Sequence, residues 1–394
     1  MGRKSSQNVL DVYMSSHLVG KLSKDVHGEI SFSYSKDWSL KGMPISLSLP
    51  LHQESFKGDK VSSFFENLLP DNQRIRSLIA SKYSAVSTKA FDLLSVIGRD
   101  CIGALSFFPD GTRPDIGGPD TYRILSKVEI EKKLKGLGST SPLGMDQGEF
   151  RISLAGAQEK MALLKVNNRY AEPQKMTATT HIFKMPIGAL GDGTNFHDSI
   201  DNEWISLQIC KRLGLNVAEA TIEIFGNTRS LVITRFDRLK EGTKTLRLPQ
   251  EDFCQALGVS PYRKYENEGG PGIVTCSKLI RTTLDPSKDL SHFFKSLLVF
   301  DLLLAPDGHA KNFSIFLTPY GVSLTPLYDV LSGHFLIRRE GKRENEMKLA
   351  MAVGNSRYYT HRKIKLRHYQ ECAKKSGLPD STLQAIIEEL VASL

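Results

Sequence analysis

The sequence predicts an α+β protein, and three observations predict it. Short alternating strands followed by helices occupy residues 1–145, strands separated by loops with one interrupting helix occupy 146–240, and helical periodicity dominates 241–394. At 394 residues the chain is long enough for two or three such units.

In the first stretch, period-2 alternation predicts strands at Val9–Met14, Ile30–Tyr34 and Ile45–Leu49, the last ending at Pro50. Apolar residues at helical spacing follow in Phe64–Pro70, Asp71–Ile79 and Phe91–Ile97, before Gly98. Asp110-Gly111 and the Pro/Gly cluster from Arg113 to Pro119 mark a loop region. From about 150, strands are predicted at Phe150–Leu154, Lys160–Val166, His181–Met185, Ala220–Phe225 and Ser230–Phe236. The interrupting helix places Ile200, Trp204, Leu207 and Cys210 on one face, and Gly214 is positioned to end it. Beyond about 245 the reading is helical except for a hairpin, Asn312–Leu317 with Val322–Pro326, around Thr318-Pro-Tyr-Gly321. Strand-rich then helix-rich is the order of a bilobed kinase.

Hydrophobic residues at 40% and charged residues at 24% are ordinary for a globular protein and exclude wholesale disorder. The longest apolar run, Ser296–Ala305, is interrupted by charge well short of the roughly 18 residues a membrane span needs. The polar N-terminus lacks a signal-peptide core, so the cytoplasm is the expected location and no membrane partner is expected. Five scattered cysteines, Cys101, Cys210, Cys254, Cys276 and Cys372, imply neither a disulfide framework nor a zinc site. The net charge of +9 is concentrated: residues 338–367 hold ten Lys/Arg against three Glu, interleaved with Tyr358, Tyr359 and His361. Such a stripe is either a solvated positive face or a surface for phosphates, RNA or DNA.

Chemistry is concentrated in Asp307-Gly-His-Ala-Lys-Asn312. Protein kinases use an Asp to accept the substrate hydroxyl proton and, five residues on, an Asn to hold Mg²⁺. Phosphoryl transfer is mainly positioning and charge neutralisation, which requires these hard oxygen groups on one tight loop. A second metal carboxylate is expected after a β-hairpin, and Asp329, following Tyr328, stands there. Any single Asp-Gly or Tyr-Asp is more often a plain turn; three groups in this order with a hairpin between them favour the metal site. Lys184 lies within an apolar strand, where a kinase needs a lysine on the α/β-phosphates, and Glu203 on the next helix is its candidate brace. Residues Ser153–Lys160 form a strand–loop–strand phosphate cradle, with a plain hairpin turn as the alternative. Ser230–Arg238 runs from an apolar strand into a hinge whose backbone would meet adenine, with Phe236 against the purine.

Eight stretches carry a family likeness across nearly the whole chain: Ser46–Leu51, Phe64–Asp71, Phe91–Ser95, Arg151–Lys160, Leu248–Asp252, Lys264–Glu266, Gly269–Gly272 and Asp307–Asn312. In these the sequence resembles the HipA-type toxin kinases of bacterial toxin–antitoxin pairs. The resemblance implies a protein-kinase-like, phosphoinositide-kinase-like fold with an added N-terminal module. It implies Asp307 as proton acceptor, Asn312 and Asp329 as Mg²⁺ ligands, and Lys184 on the phosphates. ATP contacts are implied for Ala155, Gly156, Ala157, Gln158, Glu159 and Lys160, for Thr234, Arg235 and Phe236, and for His309, Ala310, Lys311, Asn312, Tyr328 and Asp329. Ser153 matches the serine that the family autophosphorylates to switch itself off. An aminoacyl-tRNA synthetase, most typically the glutamyl enzyme, is the implied substrate, with translation arrest and dormancy the result. The implied partners are a small helix-turn-helix antitoxin and, through it, operator DNA. A catalytically weak co-repressor and a small-molecule phosphotransferase are the other functions this pattern admits. The chain departs from the family near Asn355–Tyr359, where relatives carry a lysine-rich segment, and at Pro306.

Overall fold

The alternation at Val9–Met14 becomes the inner part of a five-stranded antiparallel sheet in the computed structural model, which describes residues 8–114, 118–137, 154, 158–189 and 195–393. Two compact units are present: Met1–Met185 with Glu223–Glu251 and Leu317–Pro319, and Pro186–Ile222 with Asp252–Phe316 and Tyr320–Leu394.

In the first unit the sheet runs in the order Ser55–Lys57, Ile30–Tyr34, His17–Lys24, Val9–Met14, Leu105–Pro109. Leu10, Val12 and Met14 point inward, as period 2 requires. The helices Asp59–Glu66 and Ala90–Ile97 cover that face, and Phe65 packs with ring centroids 5.8 Å from both Phe32 and Phe107. The strand expected at Ile45–Leu49 does not form: only an isolated bridge joins Ser46 to Leu49. Ser46 and Ser48 hydrogen-bond each other there, and Leu47 N–H donates to Glu251, so side chains take the bonds a sheet neighbour would have taken. The helix read through Pro70 stops at Glu66, and a further helix spans Gln73–Tyr83.

A second sheet of six strands runs Ala220–Phe225, Thr228–Thr234, His181–Lys184, Lys160–Val166, Arg169–Gln174, Thr121–Ile124. The capped helix Lys127–Lys135 adds Ile130 and Leu134 to its core beside Phe183, Tyr170 and Phe225. Thr121–Ile124 was not evident from its loop-like surroundings; it is an edge strand, and little of it is buried. Of the strand expected at Phe150–Leu154, only Leu154 lies among the described residues.

In the second unit the helices Ile273–Ile280, Pro286–Leu302, Leu366–Ser376 and Asp380–Ser393 enclose an aromatic core of Phe253, Phe293, Phe300 and Phe313. The expected hairpin forms as Ser314–Thr318 and Gly321–Leu324. The helical reading beyond 245 is corrected by a second hairpin, Lys348–Val353 with Tyr358–Thr360, inside the basic stripe. The helix Ser199–Arg212 buries Ile200, Leu207 and Cys210, but Trp204 is 37% exposed. Its inward face is rotated toward Asn202 and Ser206, because Asn202 bonds both the N–H and the carbonyl of Ser332 (2.7 and 2.9 Å). Hydrophobic periodicity does not register a polar stripe of this kind. All five cysteines are buried free thiols, and burial pushes Cys101 and Cys210 up to about 12. None of the helices among the described residues is long and apolar enough to cross a membrane.

Candidate active site

The second unit carries the loop around Asp307. Helix Pro286–Leu302 is started by Asp285, whose carboxylate accepts from Lys288 N–H at 3.1 Å, and by proline in its first turn. It ends where Ala305 N–H returns to the Phe300 carbonyl (2.8 Å), turning the chain into Pro306-Asp307. Gly308 follows because a Cβ there would sit 2.5 Å from the Phe300 ring; no larger residue fits against that helix. Phe313, just past Asn312, is wedged between Phe293 (5.0 Å) and Phe253 (5.7 Å) and anchors the far end of the loop.

Within the loop the sequence-predicted groups converge. Asn312 Nδ2 donates to the Asp307 carbonyl at 2.6 Å, and Asn312 N–H to the His309 carbonyl at 2.9 Å. The Asp307 carboxylate, 35% exposed, accepts from the Tyr265 hydroxyl and lies 3.3 Å from His309 Nε2. Tyr265 stands edge-on to the buried His309 ring at 4.8 Å. Lys311 is buried and pairs with Asp252 at 3.2 Å, and Asp252 also caps the helix Phe253–Leu257. The Tyr328 hydroxyl donates to the Lys311 carbonyl (2.9 Å) and lies 2.5 Å from Ser314 Oγ. Burial, reinforced by the Asp252 carboxylate, pushes Tyr328 well above its ordinary range and keeps it a donor. Lys311 and Tyr328 therefore spend their polar ends inside the loop, and Ala310 is fully buried. Asp329 has φ of 55°, a left-handed conformation that Asp tolerates and that recurs at functional positions.

Sequence reasoning assigned no role to Tyr265 or Asp252. Both lie in stretches that carried the family likeness, Lys264–Glu266 and Leu248–Asp252, and that likeness was the signal available for them.

In the first unit, Lys184 ends the strand His181–Lys184 and is 4% exposed. It stands directly opposite Lys160 on the neighbouring strand, with Leu231 opposite on the other side. Two lysines at opposed cross-strand positions share one face of the sheet, where their charges suit an anion. Gln158 donates its amide to the Met185 carbonyl, and Glu159 is half-buried. Ser153, Ala155, Gly156 and Ala157 lie outside the described residues. Thr234 pairs with His181, and Phe236 is half-buried. Arg235 N–H is occupied by the Thr180 carbonyl at 2.9 Å. Its guanidinium is buried against Asp237 (2.8 Å), Thr179 Oγ1 (2.9 Å) and the Cys101 carbonyl (2.9 Å). Asp100 joins this cluster, receiving Arg238 at 2.8 Å and Arg247 at 3.2 Å. Glu203, the candidate brace on the helix Ser199–Arg212 of the second unit, is 3% exposed.

These donor sets fit a nucleotide with Mg²⁺. The Asn312 amide nitrogen is committed to the Asp307 carbonyl, which leaves its oxygen as the side chain's acceptor. One amide oxygen with the Asp329 carboxylate is the kind of partial set that Mg²⁺ shares with phosphates and water.

The family described as the HipA-like C-terminal domain matches residues 152–394, and the HipA N-terminal domain matches 10–108. The Sinorhizobium fredii protein Y4mE is 33% identical over 98% of this chain and 90% of its own. The serine/threonine-protein kinase toxin HipA of Shewanella oneidensis is 30% identical over 87% of this chain and 78% of its own. A solved structure of the Shewanella oneidensis MR-1 toxin–antitoxin system, HipA, HipB and its operator DNA complex, superposes with a TM-score of 0.78 at 28% identity, covering 98% of this chain and 91% of that one. The α+β fold is thus that of a HipA chain, and the chain belongs to the HipA family.

Proposed function

We propose that the chain is an ATP- and Mg²⁺-dependent serine/threonine protein kinase acting as the toxin of a toxin–antitoxin pair. The observation that carries this is the Asp307–Asn312 loop, in which the Asn312 amide N–H clamps the Asp307 main-chain carbonyl at 2.6 Å while the Asp307 carboxylate stays 35% exposed. When bound, ATP supplies the transferable phosphoryl group and Mg²⁺ offsets the charge on its phosphates. Asp307 accepts the proton of the acceptor hydroxyl. Asn312 and Asp329 offer oxygens to the metal, and Lys184 with Lys160 holds phosphate oxygens. Residues 155–160 and 234–236, with His309, Ala310, Lys311 and Tyr328, complete the nucleotide site through backbone contacts or by shaping it. The domain division 1–145, 146–240 and 241–394 belongs to the same reading.

The finer proposals rest on the family. An aminoacyl-tRNA synthetase, of glutamyl type, is the acceptor, and its phosphorylation arrests translation and brings on dormancy. Autophosphorylation at Ser153 inactivates the kinase by adding roughly −1.5 to −2 charge to the phosphate loop. The antitoxin is a helix-turn-helix protein that carries the pair to operator DNA, a reading supported by the HipA–HipB–operator composition of the Shewanella structure. The test is transfer of ³²P from ATP to the synthetase and to the chain itself, with Asp307→Asn alongside. Transfer by the wild type and none by the variant is the expected result, with phosphopeptide mapping expected to find Ser153. Equal transfer by both would overturn the assignment of Asp307.

A further inference from the structure

The basic stripe does not form a flat face. With Tyr265 and Pro306 of the candidate active site it encloses a cleft of about 560 Å³ in the second unit. Lys342, Lys348, Arg357 and Lys363 line it against a single carboxylate, Glu346. The ladder of the second hairpin breaks between Lys348 and Val353, and a bulge of this kind bends a strand and re-aims its side chains. Met347 just ahead of the hairpin, Leu349 and Ala350 from its first strand and Tyr358 and Tyr359 from its second are among the residues that line the cleft.

The four cations are not equivalent. Arg357 is committed to Glu266 at 3.1 Å and to the Tyr359 hydroxyl at 3.1 Å, so it shapes the wall. Lys348 and Lys363 are exposed, and among the described residues neither has a carboxylate within salt-bridge distance. The cleft therefore keeps an excess of positive charge beside apolar and aromatic lining residues. Nucleic-acid binding relies on several phosphates being neutralised along an extended track. An open cleft lined by lysines together with apolar and aromatic side chains instead suits a short run of chain carrying Asp or Glu side chains. Its position adds direction. Tyr265 both lines the cleft and donates to the Asp307 carboxylate, so a chain presenting its hydroxyl to Asp307 runs past Tyr265 into the cleft.

The geometry points to this cleft as the substrate-recognition groove: it binds an acidic peptide segment flanking the acceptor serine or threonine, with Lys348 and Lys363 as its specificity-determining residues. This rests on the kinase reading above for its meaning, but not for its test. The probe is a fluorescein-labelled peptide with a central serine followed by Glu-Glu-Asp, compared with Gln-substituted and Lys-substituted versions by fluorescence anisotropy on the full chain. The acidic peptide is expected to bind about tenfold or more tightly than the Gln version. That preference is expected to persist in Asp307→Asn and to vanish in the Lys348→Glu/Lys363→Glu double variant, with Lys363→Glu alone giving part of the loss. Equal binding of acidic and Gln peptides, or no effect of the double variant, overturns the groove. Displacement of the peptide by a short single-stranded RNA at lower concentration than by unlabelled peptide would also overturn it, in favour of a nucleic-acid site. Acidic-peptide binding without any ATP-dependent phosphorylation would overturn the kinase reading and leave the groove standing.

Discussion

Asn312 spans its own loop, donating a side-chain N–H to the main-chain carbonyl of Asp307 at 2.6 Å, so the proton acceptor and the metal-type oxygen are held by one bond. Replacing Asn312 with Ala removes both the clamp and the oxygen. Phosphoryl transfer is expected to fall about 10²–10³-fold, the range for losing one preorganised polar group at a transition state. Stability is expected to fall about 0.5–1.5 kcal/mol, the net value of one hydrogen bond, because the Asp307 carbonyl still accepts from His309 N–H at 2.9 Å. Initial rates and urea unfolding of the same preparation separate the two effects; an unchanged rate would remove Asn312 from the chemistry.

Tyr265 acts on Asp307 through its hydroxyl and on His309 through its ring. Tyr265→Phe keeps the edge-on contact and deletes only the donor. One hydrogen bond of about 1 kcal/mol corresponds to roughly fivefold in rate. The expected result is a fall of that size in kcat with KM for ATP and the melting temperature nearly unchanged. An equal loss in melting temperature would make the residue structural alone.

Asp100 sits fully buried among Arg235, Arg238 and Arg247. Burial raises its pKa, yet the three guanidinium groups outweigh burial and hold the carboxyl well below the usual range. A depressed folded-state pKa contributes stability that is present above the unfolded value, about 3.9, and is lost as pH falls through the folded one. The protein is therefore expected to resist acid down to about pH 4 and to lose stability steeply below it. Asp100→Asn takes the carboxylate from Arg247 and leaves Asp237 alone against Arg235 and Arg238, and is expected to cost about 3–5 kcal/mol at neutral pH while flattening the acid slope. Chemical denaturation between about pH 2 and 7 checks both.

What was legible in the sequence was local. The strand Lys160–Val166 declares itself by apolar content between turns, and Asp307 with Asn312 by a five-residue spacing on one loop. What was hidden depended on distant partners. Tyr265 reaches Asp307 across 42 positions, and Arg235 reaches Asp100 across 135, so a residue that looks like a hinge contact in its own segment is also part of a buried ion cluster. Trp204 is exposed for a related reason: the helix turns its inward face to suit Asn202, whose partner Ser332 is 130 positions away. Gly270 belongs to the same class, since its missing Cβ, which would stand 2.2 Å from the Arg263 carbonyl, is explained only by the folded turn.

Glu266 links the turn beside Tyr265 to the second hairpin, accepting from Ala352 N–H at 2.6 Å and pairing with Arg357 at 3.1 Å. Burial raises its pKa more than these two partners lower it. A folded-state pKa above the unfolded value, about 4.3, means that the contribution to stability is full below that value and is lost as pH rises through the folded one. The ionised carboxylate is thus a burden at neutral pH, although its oxygens are needed as acceptors. Glu266→Gln keeps an acceptor for Ala352 N–H without the charge, and is expected to be neutral or slightly stabilising at about pH 8. Glu266→Ala strands that N–H and releases Arg357, at an expected cost of about 1–3 kcal/mol. Urea unfolding at about pH 4 and pH 8 distinguishes the cases: the wild type gains stability toward the lower pH relative to Glu266→Gln. A Gln variant as damaged as the Ala variant would show instead that the charge on Arg357's partner holds the hairpin in place.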